Sequence, residues 1–364
     1  MKNIPFIIAE LGTSHGKDIE KAKELIAAAA EAGADCIKCQ IVFADEIIHQ
    51  KTGIVELPGG PTPLYEVFKN LENDEFFYMS MKNEAQKHGI CFLATPFGLK
   101  SASLLKNLGS EAVKIASPEL NYINFIKEIA SWGKPIYISA GISTLGDIEE
   151  AILTIKESFS RNSAQNTEIT LLHCVTSYPA PPEDYNLRVL PHLAGIFGVN
   201  VGVSDHSLDP VLVPVLVSAL GAVAIEKHFC LSRTDHGLDD KIALEPPAFT
   251  RMCSSLKQVV ALDSAQIIAE MEAEYGTDLV EKTLGNGIKT LALSEIANYG
   301  LTNRSIHAVC DISEGEIIKP EMIAILRTEK NLRPGLHPRW EKPIIGRKAR
   351  KTIPSGEGIR FEDI

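Results

Sequence analysis

Strand-like and helix-like segments alternate along the first 270 residues of this 364-residue chain, and the alternation runs through eight repeats. Strands are predicted at Ile4–Leu11, Cys36–Val42, Ile90–Thr95, Ala112–Ser117, Pro135–Ala140, Thr170–Thr176, Val199–Ser204 and Ala222–Phe229. They read as near-continuous apolar runs, the pattern of strands covered on both faces. Helices are predicted between them, from Asp18–Ala32, stopped by Gly33, to a single closing helix over Pro247–Glu274. Eight units, with no Gly-x-Gly-x-x-Gly turn, predict an α/β fold of the (β/α)8 TIM-barrel type rather than a doubly wound sheet.

Two stretches depart from the repeat. Residues 43–73 carry Pro58-Gly59-Gly60-Pro61 and read as a loop, long enough to line or cover a site. After Gly285 the turn signals crowd together, and short strands are predicted at Ser305–Val309 and Ile317–Ile318. The expected organisation is a barrel domain over 1–280, a linker over 281–300 and a small β-rich domain over 301–364. So small a module buries too little to be strongly stable alone, so it is expected to dock on the barrel or on a partner chain.

Composition narrows the function. A net charge of −11 argues against a nucleic-acid partner. No run approaches the roughly 18 apolar residues that a membrane span needs. Met1-Lys2-Asn3-Ile4-Pro5 lacks a signal-peptide pattern, and most of the seven cysteines sit in apolar runs, so a cytoplasmic protein with reduced thiols is expected. Cys36-Ile37-Lys38-Cys39 has zinc-knuckle spacing, but residues three apart on a strand point to opposite faces and no second pair follows. A structural metal is not expected there.

In an α/β barrel the chemistry gathers at the C-terminal strand ends. The polar residues predicted there are Glu10, Lys38, Gln40, Thr95, Lys114, Ser117, Glu119, Ser139, Tyr178, Ser204, His206, Glu226 and His228. A lysine inside an apolar strand loses several kcal/mol of hydration unless an anion meets it. Lys38 and Lys114, near serine and threonine hydroxyls, therefore point to a multiply anionic small substrate, with internal pairing to Glu10 or Glu119 as the competing reading. His206 and His228 end neighbouring strands, with Asp205 and Glu226 beside them, and are candidate ligands of one divalent metal. Mid-strand His173 reads as a hydrogen-bonded core residue. Asp239, in the loop from His236 to Asp240, is placed to orient a hydroxyl or a water.

These residues sit in ordered motifs that resemble the sialic acid synthase family. The motifs are Ile8-Ala9-Glu10-Leu11-Gly12, Lys38 with Gln40, Thr95-Pro96-Phe97, Lys114-Ile115-Ala116-Ser117 and Ser139-Ala140-Gly141. They continue through His173-Cys174-Val175-Thr176-Ser177-Tyr178-Pro179, Ser204-Asp205-His206 and Ile225-Glu226-Lys227-His228-Phe229. The tail resembles the antifreeze-like SAF (β-clip) domain of these synthases at Asn303-Arg304-Ser305, Asp311-Ile312 with Gly315-Glu316, and Gly335-Leu336-His337-Pro338.

The resemblance implies a transferase that condenses phosphoenolpyruvate with an N-acylated mannosamine-like amino sugar and releases phosphate by C–O cleavage. It implies Mn2+, or Mg2+ or Co2+, on His206 and His228, with phosphoenolpyruvate held by Lys38, Thr95, Lys114, Ser139 and Ser204. Gln40, Tyr178, Glu119, Asp239 and Glu10 would face the sugar, the attacking water or the metal's water shell, with Glu119 or Glu10 as proton acceptors. A domain-swapped homodimer is implied, in which Arg333 or its rival Arg327 reaches the partner's site; Arg333, before Pro334-Gly335, is favoured. Thr176 stands where the family has asparagine, and Ser14-His15-Gly16-Lys17 where it has His-Asn-Gly. Competing readings are a 3-deoxy-octulosonate or heptulosonate synthase, an aldolase using Lys38 or Lys114 as Schiff-base nucleophile, and a non-catalytic assembly or ice-binding role of the tail.

Overall fold

The computed structural model describes residues 4–57, 60–165, 167–235 and 237–364; Met1 to Asn3, Pro58, Gly59, Asn166 and His236 lie outside the described residues. Eight parallel strands form the barrel: β1 (Phe6–Glu10), β2 (Cys36–Ile41), β3 (Cys91–Pro96), β4 (Val113–Ile115), β5 (Ile136–Ser139), β6 (Ile169–Cys174), β7 (Asn200–Asp205) and β8 (Ala224–His228). Their order around the sheet is β3-β2-β1-β8-β7-β6-β5-β4, and β3 and β4 lie side by side without ladder bonds, so the barrel is nearly closed. Each strand leads to a helix on the outside. The first is α1 (Ile19–Glu31), whose N-cap Asp18 accepts from the amides of Glu20 and Lys21.

The two-residue period of a strand sorts the side chains. In β2, Ile37, Cys39 and Ile41 face the helices in the main core, whereas Cys36, with Ile8 and Leu93, plugs the barrel interior. The two cysteines thus lie on opposite faces, and both are free thiols. Above the plug the inward positions turn polar: Glu10, Lys38 and His228 share one register level, and Gln40 pairs with Thr95. Gly202 of β7 also points inward, where an added Cβ would come within 2.3 Å of the Ala224 carbonyl oxygen.

Three segments correct the sequence expectations. The excursion after β2 is an ordered unit rather than plain loop: a helical turn (Ala44–Ile47), a hairpin pairing Ile54–Leu57 with Gly60–Pro63, and a helix over Leu64–Lys69. Its proline and glycine content hid these short elements. The single closing helix is broken by a turn after Val259, giving Pro246–Val259 and Ser264–Tyr275, which Asp263 caps by accepting from the Gln266 amide. In the tail, Ile317 makes only an isolated bridge to Lys348, while Arg304–Ala308 (β9) pairs antiparallel with Ile323–Arg327 (β10), a strand the turn signals did not mark.

The small module surrounds its own isoleucine-rich core, including Ile306, Ile325 and Ile353. It docks on the C-terminal end of the barrel of the same chain. Arg304 of β9, 1 % exposed, spends its donors there. Its Nε is 3.0 Å from Glu119 Oε1 and its Nη2 2.7 Å from the Phe97 carbonyl oxygen, while Nη1 reaches carbonyls of the excursion at Glu46 and Ile47. Backbone pairing between Asn331 and Thr52, 2.9 Å, adds a second seam. No helix among the described residues is long and apolar enough to cross a membrane. The Gly202→Ala variant is expected to unfold at lower denaturant concentration, losing about 1–3 kcal/mol, because the new methyl has no room between β6 and β8. An unchanged midpoint in urea would contradict this packing.

Candidate active site

Outward-facing charges at the top of the barrel are structural. Lys227, fully buried, donates to Asp205 Oδ2 at 2.6 Å and to the Ser207 carbonyl. Tyr185 Oη donates to Asp205 Oδ1 at 2.6 Å. Asp205 is therefore occupied on the helix side and does not accompany His206 toward a metal. His173 points the same way and meets the Tyr185 carbonyl at 2.5 Å; burial first of all holds its pKa down at about 3.

The inward-facing residues enclose a cavity of about 230 Å³. Its wall includes Glu10, Lys38, Gln40, Thr95, Lys114, Ser117, Ser139, Thr176, Tyr178, Ser204, His206, His228, Asp239 and Arg327, so the structure brings all of these together. It also includes Glu226, which links the two lysines: Lys114 Nζ lies 3.0 Å from Glu226 Oε2, and Lys38 Nζ 2.8 Å from Glu10 Oε2 and 3.5 Å from Glu226 Oε1. Neither lysine is bare, so the competing reading of internal pairing is realised, but around a cavity rather than in place of one. Burial works against both ammonium groups. Glu10 and Glu226 outweigh it at Lys38 and raise that pKa, whereas at Lys114 burial prevails over Glu226 and lowers it. Burial would push the Glu226 carboxyl up, but Lys114 and Lys38 together hold it at about 2.

Hydroxyls complete this side of the cavity. Ser204 Oγ donates to Glu226 Oε1 at 2.9 Å, and Thr95 Oγ1 is 3.3 Å from Lys38 Nζ. Ser117 Oγ accepts from the Gly141 amide, and Ser139 Oγ and Thr176 Oγ1 are buried without a hydrogen-bond partner. Buried hydroxyls left without partners in a polar cavity are donors for a ligand. An anion entering here would meet two ammonium groups and at least two uncommitted O–H groups.

The opposite side carries the imidazoles. The ring centres of His206 and His228 lie 5.4 Å apart, and the Tyr178 ring stacks on His206 at 4.3 Å. His206 Nδ1 sits 2.8 Å from the Val175 carbonyl, which can only accept, so Nδ1 carries the proton and Nε2 keeps a lone pair. Burial lowers the pKa of both rings, aided at His228 by His206 and Lys38, and so favours the neutral form that ligates metals. Asp239 Oδ2 is 4.0 Å from His228 Nδ1; burial, then Glu10, raises its pKa to about 6. These residues fit a divalent cation with two protein nitrogens; the described residues hold no cluster of three or more histidine, cysteine or carboxylate ligands.

Two expected site residues lie elsewhere. Glu119 does not line the cavity: its Oε1 takes Arg304 Nη2 at 2.9 Å and Arg327 Nη2 at 2.8 Å, which commits it to holding two guanidinium groups. Arg333 is also outside, with Nη2 2.6 Å from Asp363 Oδ2 within the small module. Arg327, its rival, is the arginine in the cavity wall. The lining residues that sequence reasoning missed include Cys174, Thr302 and the apolar Phe68, Phe97 and Leu238. Phe68 comes from the excursion, consistent with a long insertion lining a site.

Comparison with known proteins agrees with this architecture. The family model described as NeuB family matches residues 25–267, more than half of the chain, and the SAF domain model matches residues 303–364. The chain is 33% identical over 358 residues to the N,N'-diacetyllegionaminic acid synthase of Campylobacter jejuni, covering 97% of this chain and 98% of that protein. It is 34% identical to a pseudaminic acid synthase of Campylobacter jejuni, covering 98% and 96%. The crystal structure of a spore coat polysaccharide biosynthesis protein of Bacillus subtilis superposes with a TM-score of 0.80 at 32% identity, covering 99% of this chain and 95% of that one.

The Glu226→Gln variant removes the anion shared by Lys38 and Lys114 and is expected to cost about 3–5 kcal/mol at neutral pH. Glu226 titrates lower in the folded than in the unfolded chain, so its contribution is present above the unfolded pKa near 4.5 and disappears as pH falls through about 2. Denaturation across that window should therefore show a shallower pH dependence in the variant than in the parent; parallel curves would contradict the ion-pair assignment.

Proposed function

The chain belongs to the NeuB family, and on that premise we propose that it is a nonulosonic acid synthase: a transferase that condenses phosphoenolpyruvate with an N-acylated, mannosamine-like amino sugar. The observation that carries this reading is a single cavity with Lys38, Lys114 and unpartnered hydroxyls on one side and two neutral imidazoles on the other. An enol phosphate carries two anionic groups, which suits the first side. An aldehyde needs polarisation of its oxygen, which suits the second.

A divalent metal, Mn2+ or alternatively Mg2+ or Co2+, held by His206 and His228, would supply Lewis acidity toward the aldehyde oxygen. The chain's own residues do the rest. Lys38, Thr95, Lys114, Ser139, Thr176 and Ser204 bind the carboxylate and phosphate, and Ser117 orients the Gly141 turn beside them. In a site screened from water these contacts are worth more than in solution. C3 of the enol attacks the aldehyde carbon, water adds at C2, and the C2–O bond to phosphate breaks. Asp239, with a carboxyl that exchanges its proton near pH 6, serves as the group that moves a proton on and off the reacting oxygens. Gln40, held by Glu10 at 2.8 Å, and Tyr178 face the sugar, and Phe68 and Leu238 offer an apolar wall to its acyl methyl. Arg327, steadied by Glu119, closes the mouth.

A homodimer with exchanged modules would keep the Arg304 and Arg327 contacts in trans. One further reading follows from the lowered pKa of Lys114, the property of a Schiff-base lysine. Reductive trapping with borohydride and a keto substrate separates the two: a covalent adduct on Lys114 would favour an aldolase.

With Mn2+, phosphoenolpyruvate and a panel of N-acetylmannosamine and 2,4-diacetamido hexoses, the protein is expected to release phosphate with at least one sugar. Lys114→Met is expected to lower kcat/KM by about 100-fold or more, the loss of a charge-assisted anion contact in a desolvated site. No phosphate release with any hexosamine, or an undiminished Lys114→Met enzyme, would contradict the proposal.

A further inference from the structure

Between the two regions matched by family models lies the segment 268–302, which neither model covers. One residue of that segment is buried against two loops that carry active-site hydroxyls. Glu295 is 1 % exposed, and its Oε1 accepts from two amides of different barrel loops: Ile142 N–H at 2.6 Å and Thr176 N–H at 2.6 Å. Its Oε2 accepts from the Ala292 amide at 3.2 Å. A buried carboxylate with amide donors on both oxygens is a strong, directional anchor.

The two loops it joins carry the cavity's hydroxyls. Thr176 contributes the unpartnered Oγ1, and the loop after β5 runs from Ser139 through Gly141, whose amide is held by Ser117. Between them Ile142 adopts φ +45°, a left-handed conformation costly for a β-branched residue and sustained only when the surroundings fix it. Asn303, at the start of the small module, donates to the Ile142 carbonyl at 3.1 Å. Ile142 is thus held at both its N–H and its C=O by residues outside the barrel. At Gly141 an added Cβ would fall within 2.3 Å of Thr176 Oγ1, so the loops meet closely where Glu295 ties them.

We propose that Glu295 is a positioning residue for the proposed condensation: the linker carboxylate clamps the β5 and β6 loop ends so that Ser117, Ser139 and Thr176 converge on one anion. The kinetic part of this inference rests on the phosphoenolpyruvate reading above. The structural part does not, and the experiment separates them. Hydrogen exchange followed by mass spectrometry on the full-length protein reports the amides of Ile142 and Thr176 directly. In Glu295→Ala their exchange is expected to accelerate about tenfold, the population change of one lost charge-assisted hydrogen bond. In steady-state kinetics, normalised to folded protein, kcat/KM for phosphoenolpyruvate is expected to fall about 100-fold, as for misplacement of a binding group by an ångström. The amino-sugar KM should change little. Glu295→Gln keeps an oxygen for Ile142 and Thr176 but turns an NH2 toward Ala292, so it should fall between the two. Unchanged exchange at both amides, or a lower melting temperature with the phosphoenolpyruvate KM intact, would overturn the proposal. If the parent enzyme turns over no amino sugar, the functional reading falls and the exchange result still decides the role of Glu295.

Discussion

Four charges buried at the top of one barrel organise everything around them. Lys38, Lys114, Glu10 and Glu226 are each at most 4 % exposed, and none could remain ionised there alone. Their mutual pairing, at 2.8 to 3.5 Å, is what permits a polar layer above the aliphatic plug. The strand register sets the geometry, because Glu10 lies level with both Lys38 and His228. The charges of this quartet cancel, so its side chains are fixed and desolvated before any ligand arrives. Lys114, less fully offset than Lys38, is the ammonium that a new anion would stabilise most.

The parts outside the barrel repeat the same logic at its rim. Arg304 and Arg327 of the small module share Glu119, which converts a strand-end carboxylate into the docking point of the module. Glu295 of the linker does the same with backbone amides. The excursion between β2 and its following helix meets the small module through carbonyls of Glu46 and Ile47 that receive Arg304, and reaches the cavity through Phe68. Module and excursion thus reach the cavity wall through Arg327 and Phe68, while the linker ties together two of the loops behind it.

The sequence makes the barrel legible because buried parallel strands leave an unmistakable apolar signature, and the strand-end position of each polar residue follows from it. His206, His228, Lys38, Lys114 and most hydroxyls are located that way. What stays hidden has no periodic signal. Glu119 and Arg333 carry the right residue type within a motif, yet their partners, Arg304 with Arg327 and Asp363, come from chain distant in sequence and decide their roles. Asp205 departs from its expected place because adjacent strand residues face opposite sides, and Lys227 claims it on the helix side. The short hairpin and helices of the excursion fall below the length at which a period can be read, and no turn signals set β10 apart. Glu295 sits in a segment with neither strand nor helix pattern.

Lys38 and Lys114, oriented by Glu10 and Glu226, are the proposed seat of an enol phosphate. Calorimetric titration of phosphoenolpyruvate alone into the parent protein and into the Lys38→Met and Lys114→Met variants tests that claim most directly. Saturable binding at one site per chain in the parent, weakened by about 100-fold or more in both variants, is the predicted result. Absence of binding to the parent, or equal affinity in all three proteins, would contradict it.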